Sequence, residues 1–324
     1  MDVSIILLTF NSQDTISECL DCINLSILSS KLNCELLVID ANSTDNTINI
    51  IKKKGLPCEL VNIDYQNRSK SFNLGAKKAK GKYLCRVDSR SLIPSNYIHE
   101  CHSFLNNNKE YFNVGGKMLP INKNFKIQVL YQNIISFGNA GFRKSDEDKD
   151  VETVYLGFFS REDFLNLQGY DEISGFINEE TDLNYRSLKK NYKIRLLSNL
   201  KVTYLTRNYF KDYFLTMYRY GAARSGFFLK NKILNLRIIA FLSFYLMILI
   251  IILFSIFIKN LAVNFIIVVP IFILFIYFLK DLKNINVEIN LFQKIKIFTS
   301  IMIGHLYWIK GFLLRFFSSK NKYN

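Results

Sequence analysis

The sequence is poor in the residues that build unusual architectures. Its 324 residues include four prolines and fourteen glycines, which excludes collagen-like and proline-rich chains. No low-complexity tract appears and 49% of the residues are hydrophobic, so global disorder is excluded as well. Histidine is scarcer still: His99, His102 and His305 are the full set. That leaves little material for a His-rich zinc site or a Ser-His-Asp triad. The six cysteines (Cys19, Cys22, Cys34, Cys58, Cys85, Cys101) all fall in the first 101 residues. A single Cys19-x-x-Cys22 inside a helical pattern, with no second pair, reads as packed thiols. In the reducing compartment argued for below, disulfides are not expected.

Acidic residues are also short of balance. The formal charge is +15, a value that first points to nucleic acid. Its distribution points elsewhere. Residues 1–200 carry 25 Lys/Arg against 24 Asp/Glu, whereas residues 201–237 carry eight basic residues against Asp212 alone. Residues 280–324 carry another eight basic residues against Asp281 and Glu288. Between these basic flanks lie two apolar runs, Ile238–Ile258 and Leu261–Leu279, separated by Lys259 and Asn260. Each run has roughly the 20 residues needed to cross a bilayer, so a two-helix transmembrane hairpin is expected over 233–280. Lys230, Lys232 and Arg237 before it, and Lys280 and Lys283 after it, put both outer ends in the cytoplasm. The opening segment lacks a signal-peptide pattern. The expected location is therefore the inner (cytoplasmic) membrane, multi-pass, with the catalytic part in the cytoplasm. A third apolar stretch, Ile297–Phe317, is interrupted by His305, Lys310 and Arg315. Residues 281–324 are expected to be a basic amphipathic segment, interfacial or a third membrane helix.

The first ninety residues alternate. Val3–Phe10 is a continuous apolar run, a helical pattern follows, and Glu35–Ile39 and Tyr83–Val87 repeat the strand signature. Such βαβα alternation predicts an α/β fold with a mostly parallel sheet flanked by helices. Ligands bind at the carboxyl ends of such strands. The residues there are Thr9 and Asn11, then Asp40 with Ser43 and Asp45, then Asp88-Ser89-Arg90. Further on come an expected helix over Asn124–Phe137, a charged loop over Ser145–Asp150 expected to be mobile, and an acidic-headed helix from Glu179.

These segments, in this order, resemble the family 2 glycosyltransferases of GT-A (Rossmann-like) fold. Thr9-Phe10-Asn11 is similar to the family's opening motif, and Asp40-Ala-Asn-Ser-Thr-Asp45 to its Asp-x-Gly-Ser-Thr-Asp segment. Gly81 to Asp88 is similar to the strand that leads into its Asp-x-Asp motif, and Asn178-Glu179-Glu180 to its acidic motif. Arg86-Val-Asp88, Val114-Gly-Gly116, Phe137-Gly138, Gly169-Tyr-Asp171-Glu172 and Tyr218-Arg-Tyr-Gly221 resemble, more narrowly, the succinoglycan-type membrane-anchored glucosyltransferases. The resemblance covers about residues 1–232, the expected cytoplasmic domain.

The resemblance implies a function: inverting transfer of a sugar from a UDP-sugar to a polyprenyl-diphosphate-linked saccharide, in exopolysaccharide or capsule assembly. The alternatives are a polyprenyl-phosphate sugar synthase and a non-catalytic nucleotide-sugar-binding protein. Nucleic acid is not an expected partner; the membrane and a lipid-linked saccharide acceptor are. Asp40, with Thr9, Asn11, Ser43 and Asp45, is implied to read the nucleotide. Arg68 and Arg219 are candidates for the diphosphate. Glu180 stands where the family has its general base, and Glu179 is the neighbouring candidate. Asp88 would hold a divalent cation, Mg²⁺ or Mn²⁺. Here the sequence departs from the pattern, because Arg90 replaces the second carboxylate and a guanidinium has no acceptor for a metal.

Overall fold

The computed structural model describes residues 1–64, 66–121, 145–172, 179–206, 210–234, 236–258, 274–276, 278–279 and 290–318. The chain divides into two compact units, residues 1–122 with 139–206, and residues 123–138 with 207–324.

The first unit is built on a nine-stranded sheet. The strands are β1 (Val3–Thr9), β2 (Cys34–Asp40), β3 (Glu59–Asn62), β4 (Tyr83–Asp88), β5 (Ser91–Leu92), β6 (Tyr111–Ile121), β7 (Lys149–Asp150), β8 (Tyr155–Ser160) and β9 (Lys193–Leu205). Their order is β3-β2-β1-β4-β8-β6-β9-β5, with β7 paired to β9. The first four strands are parallel, as the alternation predicts. Beyond β4 the sheet becomes mixed: β8 runs antiparallel to β4 and β6, while β6 and β9 are parallel.

Strand periodicity divides the core into two layers, because successive side chains leave a strand on opposite faces. Val3, Ile5 and Leu7 of β1 pack with helix α1 (Ile16–Ser30) and helix α4 (Tyr97–Asn107). Ile6 and Leu8 pack on the other face with Phe72 and Ala76 of α3 (Arg68–Lys78) and Phe164 of α5 (Arg161–Asn166). α2 (Thr47–Lys54) contributes Ile51 to the first layer. α6 (Glu179–Lys189) contributes Leu183 to the second. The alternation continues along β4. Tyr83, Cys85 and Val87 belong to the first layer and Leu84 to the second. Arg86, two residues on, shares the face of Leu84 and is buried among apolar groups.

The loop expected to be mobile is tied to the sheet. Lys117 reaches Asp146 at 2.5 Å, Asp148 accepts from Ser198 N and Oγ, and Asp150 pairs with Arg195. The expected helix over Asn124–Phe137 and the Phe137-Gly138 motif lie outside the described residues.

The second unit contains α7 (Phe210–Asn231), α8 (Leu236–Ile258) and α9 (Leu291–Ser318). α7 and α9 run parallel: Phe214 stacks on Tyr307 and Phe228 on Phe316. Gly221 and Gly311 bring the two backbones together, since a Cβ at either would strike a carbonyl of the other helix, that of Trp308 or Tyr218. α8 packs antiparallel to α9, with Phe241 on Trp308 and Tyr245 Oη 2.7 Å from His305 Nδ1. α8 is the first arm of the expected hairpin; most of the second lies outside the described residues. The charged interruptions of the third apolar stretch do not break its helix. Among the described residues, Leu291–Ser318 is the one helix of length and composition to cross a membrane. A multi-pass arrangement is not supported by the described residues.

Candidate active site

Three parallel strand ends form the base of the site. Thr9 ends β1 and pairs in register with Asp40, which ends β2; Asp88 ends β4 beside Leu8. The two loops that follow β1 and β2 are laced together. Asp40 accepts from Ser43 N at 2.7 Å and Ser43 Oγ at 2.6 Å. Ser43 Oγ accepts from Asn11 N, and Asn11 Oδ1 accepts from Thr44 N. Asp45 accepts from Gln13 N and from Thr47 N and Oγ1. Burial acts to raise the Asp45 pKa, but these donors outweigh it and hold the carboxyl below its ordinary range. Asn11, Ser43 and Asp40 are thereby joined by hydrogen bonds, while Asp45 ties Gln13 to Thr47. Asn11, Asp40, Ser43 and Asp45 each have structural work in the loops. Thr9 Oγ1 differs: it is buried with no hydrogen-bond partner among the described residues.

The second half of the site is an ion cluster centred on Arg86. Its Nη2 donates to Glu179 Oε1 at 2.7 Å, its Nε to Asp88 Oδ1 at 3.2 Å, and its Nη1 to Tyr170 Oη at 3.2 Å. The guanidinium also lies over the rings of Tyr170 and Phe72. Arg68, the first residue of α3, adds a second cation: Nη2 is 2.5 Å from Asp88 Oδ2 and Nε 3.4 Å from Glu179 Oε1. Sequence reasoning did not assign Arg86 a role. Its signal was nonetheless present, as a charged residue within the otherwise apolar run Tyr83–Val87.

This cluster separates the two glutamates. Burial would raise Glu179, but Arg68 and Arg86 overcome it and hold Glu179 below the ordinary range. Glu180, one residue on and partly exposed, is raised by burial and then by the charge of Glu179. Asp88 follows Glu179: burial is outweighed by Arg68 and Arg86, and its pKa is lowered. Acidic residues also suit the first turn of α6 through the helix dipole, but that alone does not explain a buried, doubly paired Glu179.

A clasp holds α6 and the Gly169–Glu172 segment against the cluster. Asn73 of α3 donates to Tyr170 O and Glu172 Oε1, and its Oδ1 accepts from Tyr170 N. Gly169 has φ +63° and lies so close to Asn73 that a side chain would collide with it. Arg186 of α6 donates to Leu167 O and to Gly169 O, and Asp182 anchors its Nε at 2.8 Å. Asp182 thus orients the acidic helix through Arg186. Arg219, the remaining predicted site residue, is exposed on α7 in the second unit.

The donor set around Asp88 does not fit a divalent cation. Both carboxylate oxygens are engaged by guanidinium groups, Arg90 offers no acceptor, and no group of three or more His, Cys, Asp or Glu side chains converges among the described residues.

Comparison with known proteins agrees with the motif order. A curated relative from Methanococcus voltae is named dolichyl N-acetyl-alpha-D-glucosaminyl phosphate 3-beta-D-2,3-diacetamido-2,3-dideoxy-beta-D-glucuronosyltransferase. It is 26% identical over 252 residues, covering 70% of this chain and 75% of the relative. Among solved structures, residues 1–349 of S. aureus TarS in complex with UDP-GlcNAc align at 17% identity and TM-score 0.48, covering 69% of this chain and 66% of that one. GalNAc-T7 with UDP, GalNAc and Mn²⁺ aligns at 15% identity and TM-score 0.49, covering 64% of this chain and 44% of that one. The chain thus spans just under two thirds of the TarS fragment and less than half of GalNAc-T7. The family model described as "Glycosyl transferase family 2" matches residues 4–167, and the chain belongs to that family.

Proposed function

We propose that the protein is an inverting glycosyltransferase that moves a sugar from a UDP-sugar to a lipid-linked saccharide at the inner membrane surface. The single observation that carries this reading is the unequal pair at the head of α6. Glu179 is buried and held by two arginines, whereas Glu180 is partly exposed with a raised pKa. Adjacent carboxyls pushed apart by their surroundings mark an assignment of acid–base roles. Glu180 is the general base. It takes the proton of the acceptor hydroxyl, the oxygen attacks the anomeric carbon, and the bond from that carbon to the diphosphate breaks on the opposite side. Configuration inverts in one displacement. Glu179 is not free for that work and acts on Glu180 through its charge.

The nucleotide half of the reading rests on Thr9 Oγ1 and the joined loops at Asp40. Support for the acceptor class comes from the relative, whose name describes transfer to a dolichyl phosphate-linked sugar. The basic flanks of the apolar helices suit an acceptor whose phosphate stays at the bilayer surface. Exopolysaccharide or capsule assembly is the proposed pathway class.

Incubating membranes that contain the protein with a radiolabelled UDP-sugar tests the reading. Glu180→Gln is expected to abolish transfer while UDP binding persists. Transfer retained in both Glu180→Gln and Glu179→Gln overturns the base assignment. A product with a single sugar attached directly to lipid phosphate overturns the saccharide acceptor.

A further inference from the structure

We propose that Arg68, braced by the buried Arg86–Asp88–Glu179 cluster, is the cation that receives the donor's diphosphate, so that the protein binds and transfers without a divalent metal. The inference rests on the nucleotide-sugar reading above and adds how this site handles the phosphate charge.

Departure of a nucleoside diphosphate needs positive charge where the leaving oxygens gather theirs. A metal at Asp88 would sit against the two guanidinium groups that its carboxylate oxygens already hold, and that repulsion opposes it unless one of them withdraws. Arg86 cannot withdraw: its side chain is 5% exposed, and Glu179 and the Tyr170 hydroxyl hold its other two nitrogens. Displacing it would leave a buried charge without its partners, at severe cost. Arg68 is different, with a side chain 46% exposed against 21% for Asp88 and 2% for Glu179. It is the guanidinium of the cluster that meets solvent. Asp88 and Glu179 engage its Nη2 and Nε, and a guanidinium has five N–H donors, so capacity is left for phosphate oxygens. The fork is preorganised, which suits bidentate phosphate recognition. Its base is fixed too. Asn67 caps α3 by accepting from Lys70 N and donates to Glu172 O, tying the start of the helix to the clasp.

Binding of UDP and of uridine to the full chain in lipid nanodiscs, measured calorimetrically in EDTA and then in Mn²⁺ or Mg²⁺, tests the proposal. The wild-type affinity for UDP is expected to change less than about twofold between EDTA and Mn²⁺. Arg68→Ala is expected to weaken UDP binding in EDTA by about tenfold or more, the scale of a lost charge-assisted contact, while uridine binding holds. Arg68→Lys should recover part of the loss, and matching thermal melts exclude misfolding in the half-exposed variant. UDP binding that appears only with Mn²⁺ or Mg²⁺ overturns the metal-free site and leaves the glycosyltransferase reading in place. Unchanged UDP binding in Arg68→Ala likewise overturns Arg68 alone. Failure of UDP, GDP, CDP and ADP to bind under either condition overturns both.

Discussion

Arg86 shows what the site asks of a single residue. The two-residue period of β4 aims it into an apolar layer, where an unpaired charge would be untenable. Asp88, Glu179 and Tyr170 compensate it, and it in turn keeps both carboxylates ionised. Arg86→Met should therefore cost about 3–5 kcal/mol, the scale of a broken buried ion pair, read as a lowered denaturation midpoint. The pH dependence has a definite sign. Asp88 and Glu179 have folded pKa values below their unfolded ones, so their stabilisation is present above the unfolded values and lost as pH falls through the folded ones. Arg86→Met should lose most stability at neutral pH and least in acid. Glu180 has the opposite displacement, raised by burial and then by Glu179. As the proposed base it must be ionised, so the acid limb of kcat/KM should lie above the ordinary glutamate value. Glu179→Gln removes the adjacent charge and should move that limb to lower pH. A limb that stays in place would refute the coupling. The candidate carboxylates were legible in the sequence because motifs preserve their spacing. The arginines were less so, because their role depends on a partner, Glu179, ninety-three positions away from Arg86.

Elements were legible where their contacts are local. The first strands and helices of the sheet follow directly from apolar runs and turn chemistry, and the parallel order of β1 to β4 follows from their alternation. β9 was not legible. Lys193–Leu205 carries Ser198 and Asn199 at its centre and charges along its length, and its register against β6 shifts between Gly116 and Lys117. Only pairing with a strand some eighty residues earlier makes it a strand, and such pairing leaves little trace in local pattern. The same limit applies to Gly221. Its motif, Tyr218-Arg-Tyr-Gly221, resembles a family signature, yet the structure gives the glycine a packing reason: the α7 backbone meets the Trp308 carbonyl there. Gly311 is its counterpart on α9. Gly311→Leu should force the two helices apart and cost at least the ~1–3 kcal/mol typical of overpacking. Thermal melts in detergent against Thr299→Leu, a change at an exposed position of the same helix, provide the check. Equal melting temperatures would show that the close approach carries no stability.

At the scale of the molecule, charge segmentation marked the part expected to meet a membrane but left the role of the last apolar stretch open, because composition does not say what a helix packs on. α9 is long and apolar enough to cross a bilayer. Its second half, however, packs along α7, from Phe214 against Tyr307 to Phe228 against Phe316. α7 carries Arg219, Arg224 and Lys230, and α9 itself carries Lys310 and Arg315. A crossing α9 would draw these cations toward the hydrocarbon, at about 2.5–3.5 kcal/mol each on insertion scales. Lying in the interface, the pair places the same cations among lipid phosphates and the exposed Leu306, Leu313, Leu314 and Phe317 among the upper acyl chains. The two arrangements differ in where the ends of α9 emerge. A cysteine at Leu291 and one at Ser318, each introduced into a background lacking the partly exposed Cys22, Cys34 and Cys58, should both react with an impermeant maleimide from the same face of sealed vesicles. Reaction of Leu291→Cys and Ser318→Cys from opposite faces would establish that α9 spans, and with it that α7 carries its arginines into the bilayer.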